Sequence, residues 1–279
     1  MKQLFDEVSF KCSKLVTKSY STSFSLAVKM LSPTIQEAIY SIYGFVRFAD
    51  EIVDSFHDFD KEILIKDFED EYYKAINSGI SLNPILNSFQ KTVTKYAIND
   101  DLIQAFLKSM KLDLIKKGYE SKEEYEEYIY GSADVVGLMC LKVFVNGNLQ
   151  QYEALKPEAM RLGSAFQKVN FLRDLKDDNL LLSRNYFPDF DLNTFDESAK
   201  KKIISEIEDD FKVAHQGILK LPKEAQFGVY TAFVYYKKLL SKLENTPSNE
   251  IGITRIRVSN SAKFALLLKS FVFYKLKLI

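Results

Sequence analysis

The sequence predicts an all-α protein folded as one domain over residues 1–279, and three observations carry that prediction. Ten glycines and six prolines are spread through 279 residues, so helix breakers are few and the intervals between them are long. Within those intervals apolar residues recur at i, i+3 and i+4, the period of a helix that buries one face. No Pro/Gly/Ser-rich linker, low-complexity tract or internal repeat divides the chain, which argues against separate units.

The helices can be placed in order. Residues 5–18 read as an opening helix that runs into Ser19-Tyr20-Ser21-Thr22-Ser23; such hydroxyls compete for backbone donors and favour caps and turns. Ser32-Pro33 supplies an N-cap and a first-turn proline for a helix that continues through Asp54. A charged amphipathic helix covers 61–77, Asn83-Pro84 opens another to Tyr96, and Asn99-Asp100-Asp101 opens a third in which Phe106, Met110 and Asp113 recur; these read as scaffold. Ser121-Lys122-Glu123-Glu124 has the form of a capping box for a helix carrying Tyr125, Tyr128, Tyr130, Gly131, Asp134, Val136 and Gly137. Glycines inside a helix cost about 1 kcal/mol each relative to alanine, so Gly131 and Gly137 call for a closely approaching helix or ligand. After a loop at Asn146-Gly147-Asn148, Lys156-Pro157 reads as the start of a helix over 158–178. Further helices are expected over 197–219, 223–244 and 251–277. The tail, Phe264 to Ile279, is apolar with Lys269, Lys275 and Lys277; it is too interrupted to span a bilayer but suited either to packing or to lying on a membrane surface.

Composition excludes several classes. Hydrophobic residues at 47% and charged residues at 27% are ordinary for a globular protein. Lys+Arg and Asp+Glu both number 38, without the basic excess of a nucleic-acid binder. Cys12 and Cys140 have no metal-ligand spacing, and a disulfide framework is not indicated, which fits a cytoplasmic location. His57 and His215 are isolated, which argues against a histidine-based triad or metal cluster. Met1 to Phe10 contains Asp6 and Glu7 and lacks a signal-like apolar core.

Two stripes point to chemistry. On a helix, Gln167, Asn170, Asp174 and Asp178 are spaced three, four and four apart and project from one face. Tyr43, Arg47, Asp50 and Asp54 do the same about 120 residues earlier. Either stripe alone reads as a solvated face. Yet aspartates four apart repel by about 0.2–0.5 kcal/mol, and each pair here has an arginine close by, Arg47 or Arg173, inside an apolar helix. Carboxylates facing across a bundle are how helical folds hold cations, and hard oxygen donors suit Mg²⁺ bridging to phosphate.

Asp50-Glu51-Ile52-Val53-Asp54 and Asn170-Phe171-Leu172-Arg173-Asp174, followed by Asp178, closely resemble the two aspartate motifs of the squalene/phytoene synthase family, whose members join two isoprenyl diphosphates head to head. Ser21-Thr22-Ser23-Phe24, Tyr130-Gly131 to Val136-Gly137, and Arg184-Asn185-Tyr186-Phe187-Pro188 follow the family's order and approximate spacing. The resemblance spans residues 10 to 275.

It implies a class I isoprenoid synthase bundle around a central cavity. Asp50, Asp54, Asn170, Asp174 and Asp178 would ligate Mg²⁺, with Mn²⁺ as a substitute. Arg47, Arg173, Arg184 and Tyr186 would face diphosphate, for which a guanidinium fork is well shaped. Ser21 and Ser23 would lie near it, against their alternative as caps. Tyr130 would sit in the reaction cavity, against its alternative as a core tyrosine. Tyr43, Gln167, Tyr236 and Arg257 would contact substrate, and Lys168 and Phe171 are expected to point away from the diphosphate stripe. Within the family the chain looks most like bacterial phytoene synthases. That implies condensation of two geranylgeranyl diphosphates through prephytoene diphosphate to phytoene in carotenoid biosynthesis, without NADPH, at the inner membrane face or in the cytoplasm. The alternative is farnesyl diphosphate, as in squalene and dehydrosqualene synthases. A non-catalytic assembly factor is more remote, since it would be expected to have lost motif aspartates.

Overall fold

A computed structural model of the protein describes residues 1–116, 118–182, 186–188, 195–251 and 256–276, with the side chains of 176–182 outside the description. Among the described residues there are thirteen α-helices and no β-strand. They are α1 (Lys2–Tyr20), α2 (Thr22–Lys29), α3 (Pro33–Ser55), α4 (Lys61–Ser78), α5 (Pro84–Tyr96), α6 (Asp100–Ile115), α7 (Lys122–Ile129), α8 (Val135–Phe144), α9 (Leu149–Leu182), α10 (Glu197–Lys220), α11 (Lys223–Glu244), α12 (Ser248–Ile251) and α13 (Asn260–Lys275); a π-helical segment, Tyr130–Asp134, joins α7 to α8.

Local chemistry explains most of the boundaries. Side-chain oxygens of Asp60, Asn83, Ser121, Asp196 and Ser259 accept from backbone amides of the first turns that follow them, satisfying donors that a helix start leaves orphaned. Gly79 ends α4 at φ 68°, a left-handed conformation that carries no Cβ penalty for glycine.

Four boundaries differ from the sequence reading. Ser32 precedes α3 but makes no side-chain cap bond; its hydroxyl meets that of Thr34 instead. The helix expected over 158–178 begins nine residues earlier, with Pro157 inside it. Pro157 and Glu153 both lie on the exposed side, where solvent is available to the carbonyl that the missing N–H leaves behind. The helix expected from Ser121 through Gly137 is interrupted by the π-helical turn, which shifts the face presented by everything after it. The terminal helix expected over 251–277 is divided: α12 ends at Ile251, and α13 starts anew where Ser259 accepts from the Ala262 amide.

The core has two centres that position the site. The first surrounds α3, where Ile39, Ile42, Phe45, Ala49 and Val53 are buried and Phe45 stacks on Phe89 at 3.9 Å. The second joins α9, α10 and α11 through Leu172, Ile207, Phe211 and Leu239. Leu162 and Phe233 touch both. Helices pass at backbone distance where glycine permits it. A Cβ on Gly131 would lie 2.8 Å from the Ala105 carbonyl oxygen of α6, one on Gly137 3.1 Å from that of Ala159 on α9, and one on Gly163 2.9 Å from that of Ala133. Helix approach is thus what Gly131 and Gly137 accommodate, and it locks the π-helical turn between α6 and α9.

Candidate active site

Two cavities meet at the centre of the bundle. One is a polar cleft of about 420 Å³, walled by α3, α6, α7 and α9 through Arg47, Asp50, Asp54, Asp113, Tyr128, Asn170, Phe171, Arg173 and Asp174, with Tyr186 beside them. The other is an apolar chamber of about 300 Å³ walled by α2, α3, the π-helical turn, α8, α9, α10 and α11. Tyr43, Val46, Ser132 and Gln167 border both. These four residues form the neck between charge on one side and hydrocarbon on the other.

The two predicted stripes converge on the cleft. Helical spacing on α3 turns Tyr43, Arg47, Asp50 and Asp54 inward, while Ile42, Phe45, Ala49 and Val53 pack behind them. Arg47 Nη1 donates to Asp50 Oδ2 at 2.5 Å, and Nη2 bonds Glu51. The Arg47 guanidinium also lies over the Tyr20 ring, 4.4 Å from its centroid. Burial pushes the Tyr43 hydroxyl up to about 12, although the nearby Arg47 charge acts the other way, so it remains a donor at neutral pH. On α9, Gln167, Asn170, Arg173 and Asp174 face the cleft, and Arg173 forms a two-pronged pair with the Asp174 carboxylate, with Nε at 2.9 Å. Burial works against the Arg173 charge, and the bond to Asp174 outweighs it, raising its pKa further.

Other predicted residues are distributed differently. Tyr236 walls the chamber; its hydroxyl donates to Asn170 Oδ1 at 3.3 Å and its ring stacks on Phe166 at 4.0 Å. Burial pushes its hydroxyl pKa up. Tyr186 walls the cleft, stacked 3.9 Å from Phe171. Ser21 accepts from the Phe24 amide as the N-cap of α2. Ser21, Ser23 and Tyr130 wall neither cavity, and Tyr130 packs at the edge of the first core centre. Arg257 is exposed, its carbonyl accepting from Lys242 Nζ at 2.9 Å. Asp178 lies on the backbone of α9 with its side chain outside the description, and Arg184 lies outside the described residues.

One expectation is corrected. Phe171 does not point away from the cleft: it is buried there between Tyr128 and Tyr186, because its neighbours on α7 and after α9 close that side. The sequence reading also passed over Asp113 and Tyr128. Tyr128 donates to Asp113 Oδ2 at 2.9 Å, and burial, reinforced by the Asp113 charge, drives the Tyr128 pKa well up. A signal was present for Asp113, an acid three and seven residues along from Met110 and Phe106 on an otherwise apolar face. For Tyr128 rather than Tyr130 there was none, since the π-helical turn that separates their faces has no reliable sequence signature.

The electrostatics define what the cleft can receive. Among the described residues that wall it, four carboxylates face two guanidinium groups, an excess of two negative charges. A diphosphate would be repelled unless cations accompanied it. No three His, Cys, Asp or Glu side chains among the described residues converge into a closed metal cage. An open set of carboxylate and amide oxygens is nevertheless what Mg²⁺ takes, since it keeps waters and shares phosphate oxygens rather than filling an all-protein site.

Comparison with known proteins gives a consistent picture. The sequence model described as squalene/phytoene synthase matches residues 17–262. A protein named phytoene synthase from Arthrospira platensis is 24% identical over 260 residues, covering 85% of this chain and 84% of its own. A 15-cis-phytoene synthase from Synechocystis sp. is 27% identical over 262 residues, covering 85% and 77%. In fold, a dehydrosqualene synthase solved with a ligand superposes with a TM-score of 0.85 at 19% identity, covering 97% of this chain and 98% of that one. The squalene synthase HpnC from Alicyclobacillus acidocaldarius superposes with a TM-score of 0.75 at 19% identity, covering 86% and 94%.

Proposed function

The chain belongs to the squalene/phytoene synthase family, with the all-α class I isoprenoid synthase fold, and from that premise we propose that it condenses two geranylgeranyl diphosphates head to head, through prephytoene diphosphate, to phytoene. The observation that carries this reading is the neck: a cleft of carboxylates and arginines opens, through Tyr43, Val46, Ser132 and Gln167, onto an apolar chamber. That arrangement suits a molecule with a diphosphate head and a hydrocarbon tail. The relatives named as phytoene synthases support a C20 tail over a C15 one.

The residues divide the work. Asp50, Asp54, Asn170 and Asp174, with Asp178 next on the same helix, would hold Mg²⁺. When bound, that ion would neutralise the head group and act as a Lewis acid on the leaving diphosphate. Arg47 and Arg173 stabilise the charge that grows there as the C1–O bond breaks, and they do so already oriented. The neck places C1 at the boundary, and the apolar wall keeps water from the carbocation that remains. The rings of Phe166, Tyr236 and Tyr43 border the place where that cation forms and can stabilise it by about 0.5–2 kcal/mol each. Helix α13 belongs to the same reading. It carries no acidic residue, and Phe264, Leu268, Phe271 and Val272 are exposed beside Lys269 and Lys275. That face suits an anionic membrane surface from which a lipid substrate would come, and co-sedimentation with anionic but not neutral vesicles would test it.

The decisive assay supplies purified protein with Mg²⁺ and either farnesyl or geranylgeranyl diphosphate, with and without NADPH. The expected product is the C40 hydrocarbon phytoene, made without reductant. A C30 product alone would move the assignment to squalene or dehydrosqualene synthesis. Asp50→Ala and Asp174→Ala should each lower kcat by about 10²- to 10³-fold with helicity intact, the scale of losing a main electrostatic element; retained turnover would remove both from the machinery.

A further inference from the structure

Among the described residues that wall the apolar chamber, one carries a charge. Glu158 sits on α9, nine residues before Gln167, which places it about 13 Å down the helix from the neck. Across the chamber Phe144 lies twelve residues past Ser132, at the last residue of α8. Glu158, Leu155, Phe144 and Gly217 therefore mark the end remote from the cleft. The Glu158 carboxylate does not hang free there. It meets Lys220 Nζ at 3.1 Å across the seam between α9 and α10, with the glutamate side chain 15% exposed and the lysine 60%. Gly217 makes room for it: a Cβ at that position would lie 2.4 Å from Glu158 Cβ.

An ion pair ends a greasy chamber differently from a bulky apolar side chain. A leucine or phenylalanine can yield to a longer tail by changing rotamer. A hydrocarbon pressed against Glu158 must instead strip water from its carboxylate, which is costly, and turn it away from Lys220. We propose that the Glu158–Lys220 pair, seated against Gly217, is the stop that sets the longest prenyl tail the chamber accepts. The proposal rests on the reading of the chamber as the prenyl-binding site. It makes Glu158 a specificity-determining residue, remote from the reacting carbons.

Two substitutions move the stop in opposite directions. Glu158→Ala removes it, and Gly217→Ala drives the Glu158 stem into the chamber. The experiment measures kcat/KM for C15, C20 and C25 prenyl diphosphates in the parent and both variants, alongside Tm. The expected result is that Glu158→Ala raises the C25:C20 ratio about tenfold or more, while Gly217→Ala raises the C15:C20 ratio by a similar factor, the usual scale for reshaping an apolar pocket. If Gly217→Ala does not fold, the Glu158→Ala ratio decides alone. Uniform loss on all three substrates with a lowered Tm is what simple packing predicts, and it would overturn the stop. An unmoved ratio in a variant that turns over would overturn it as well. A parent inert toward every prenyl diphosphate would overturn the reading of the site, and the stop with it.

Discussion

The two aspartate helices look like copies of one device in sequence, yet the structure supports them by different means. On α3 the functional face is backed by hydrocarbon: Phe45 is fully buried among Phe68, Phe89 and Phe106, and the Arg47 side chain stays about a quarter exposed, shared among Asp50, Glu51 and the Tyr20 ring. On α9 the back of the functional face is ionic. Lys168 is 5% exposed and bonds Asp210 at 2.8 Å and Glu206 on α10. Arg161 reaches the same Asp210 at 3.1 Å, and Ser164 donates to Asp134 on the π-helical turn at 2.7 Å. An apolar backing tolerates rearrangement, whereas a buried ionic backing holds one register and fails when a member is lost. The first motif should therefore be adaptable and the second rigid.

The largest expected effect tests that contrast directly. Lys168→Met leaves Asp210 buried with only Arg161 opposite, and should cost about 3–5 kcal/mol of unfolding free energy, as breaking a buried pair does. Arg47→Met frees carboxylates that can turn to water, and should cost under about 1 kcal/mol. Urea denaturation of both variants measures the difference. Equal losses would erase the distinction between the helices.

A smaller effect should come from pH. Burial pushes the Asp134 carboxyl up to about 7, against the opposing bond from Ser164 and the positive charges of Lys168 and Arg161, while Asp210 adds to the rise. Its folded pKa thus lies above its unfolded value of about 3.9. Between those values the native state holds more protons than the unfolded chain, so this group's contribution to stability falls as pH rises from about 4 to 7. Asp134→Asn keeps an acceptor for Ser164 and removes the titration. The variant should be more stable than the parent by roughly 2 kcal/mol at pH 8 and closer to it near pH 4, a sign that unfolding midpoints across pH would establish. Parallel curves would mean the α9 backing does not titrate.

The contrast also explains what could be read beforehand. Stripes such as Tyr43-Arg47-Asp50-Asp54 were legible because helical period alone decides which residues share a face, and capping chemistry gave the starts of α5 and α7 nearly to the residue. The ionic backing of α9 was not legible. Lys168 pairs with residues about 40 positions away, and nothing local distinguishes a lysine that will be buried from one that will be solvated. Tyr128 and Phe171 were misjudged for a related reason: the faces they present depend on a π-helical turn and on the aromatic stack that Tyr186 completes from beyond α9.

The smallest prediction sharpens the comparison at its most specific point, the two arginines. Arg173 is fixed by a two-pronged bond to its neighbour Asp174 and by burial, so it has little freedom to lose. Arg47 is placed by looser means: an i+3 and an i+4 carboxylate, and the half-exposed Tyr20 ring on the last residue of α1. Its Nε is buried without a hydrogen-bond partner, so one donor is not committed within the protein. Tyr20→Leu removes the cation–π contact, worth about 0.5–1 kcal/mol at an exposed site, and keeps apolar bulk. It should leave Tm within about 2 °C, since so small a loss spread over a chain of this size barely moves the midpoint. Arg47 would then sample more rotamers before substrate arrives, and ordering it on binding costs affinity. KM should rise about two- to fivefold with kcat retained, because the bound diphosphate restores the arginine's position before the bond breaks. Unchanged KM would show that α3 holds its arginine as firmly as α9 does, and a fall in kcat with KM fixed would place Tyr20 in the chemical step instead.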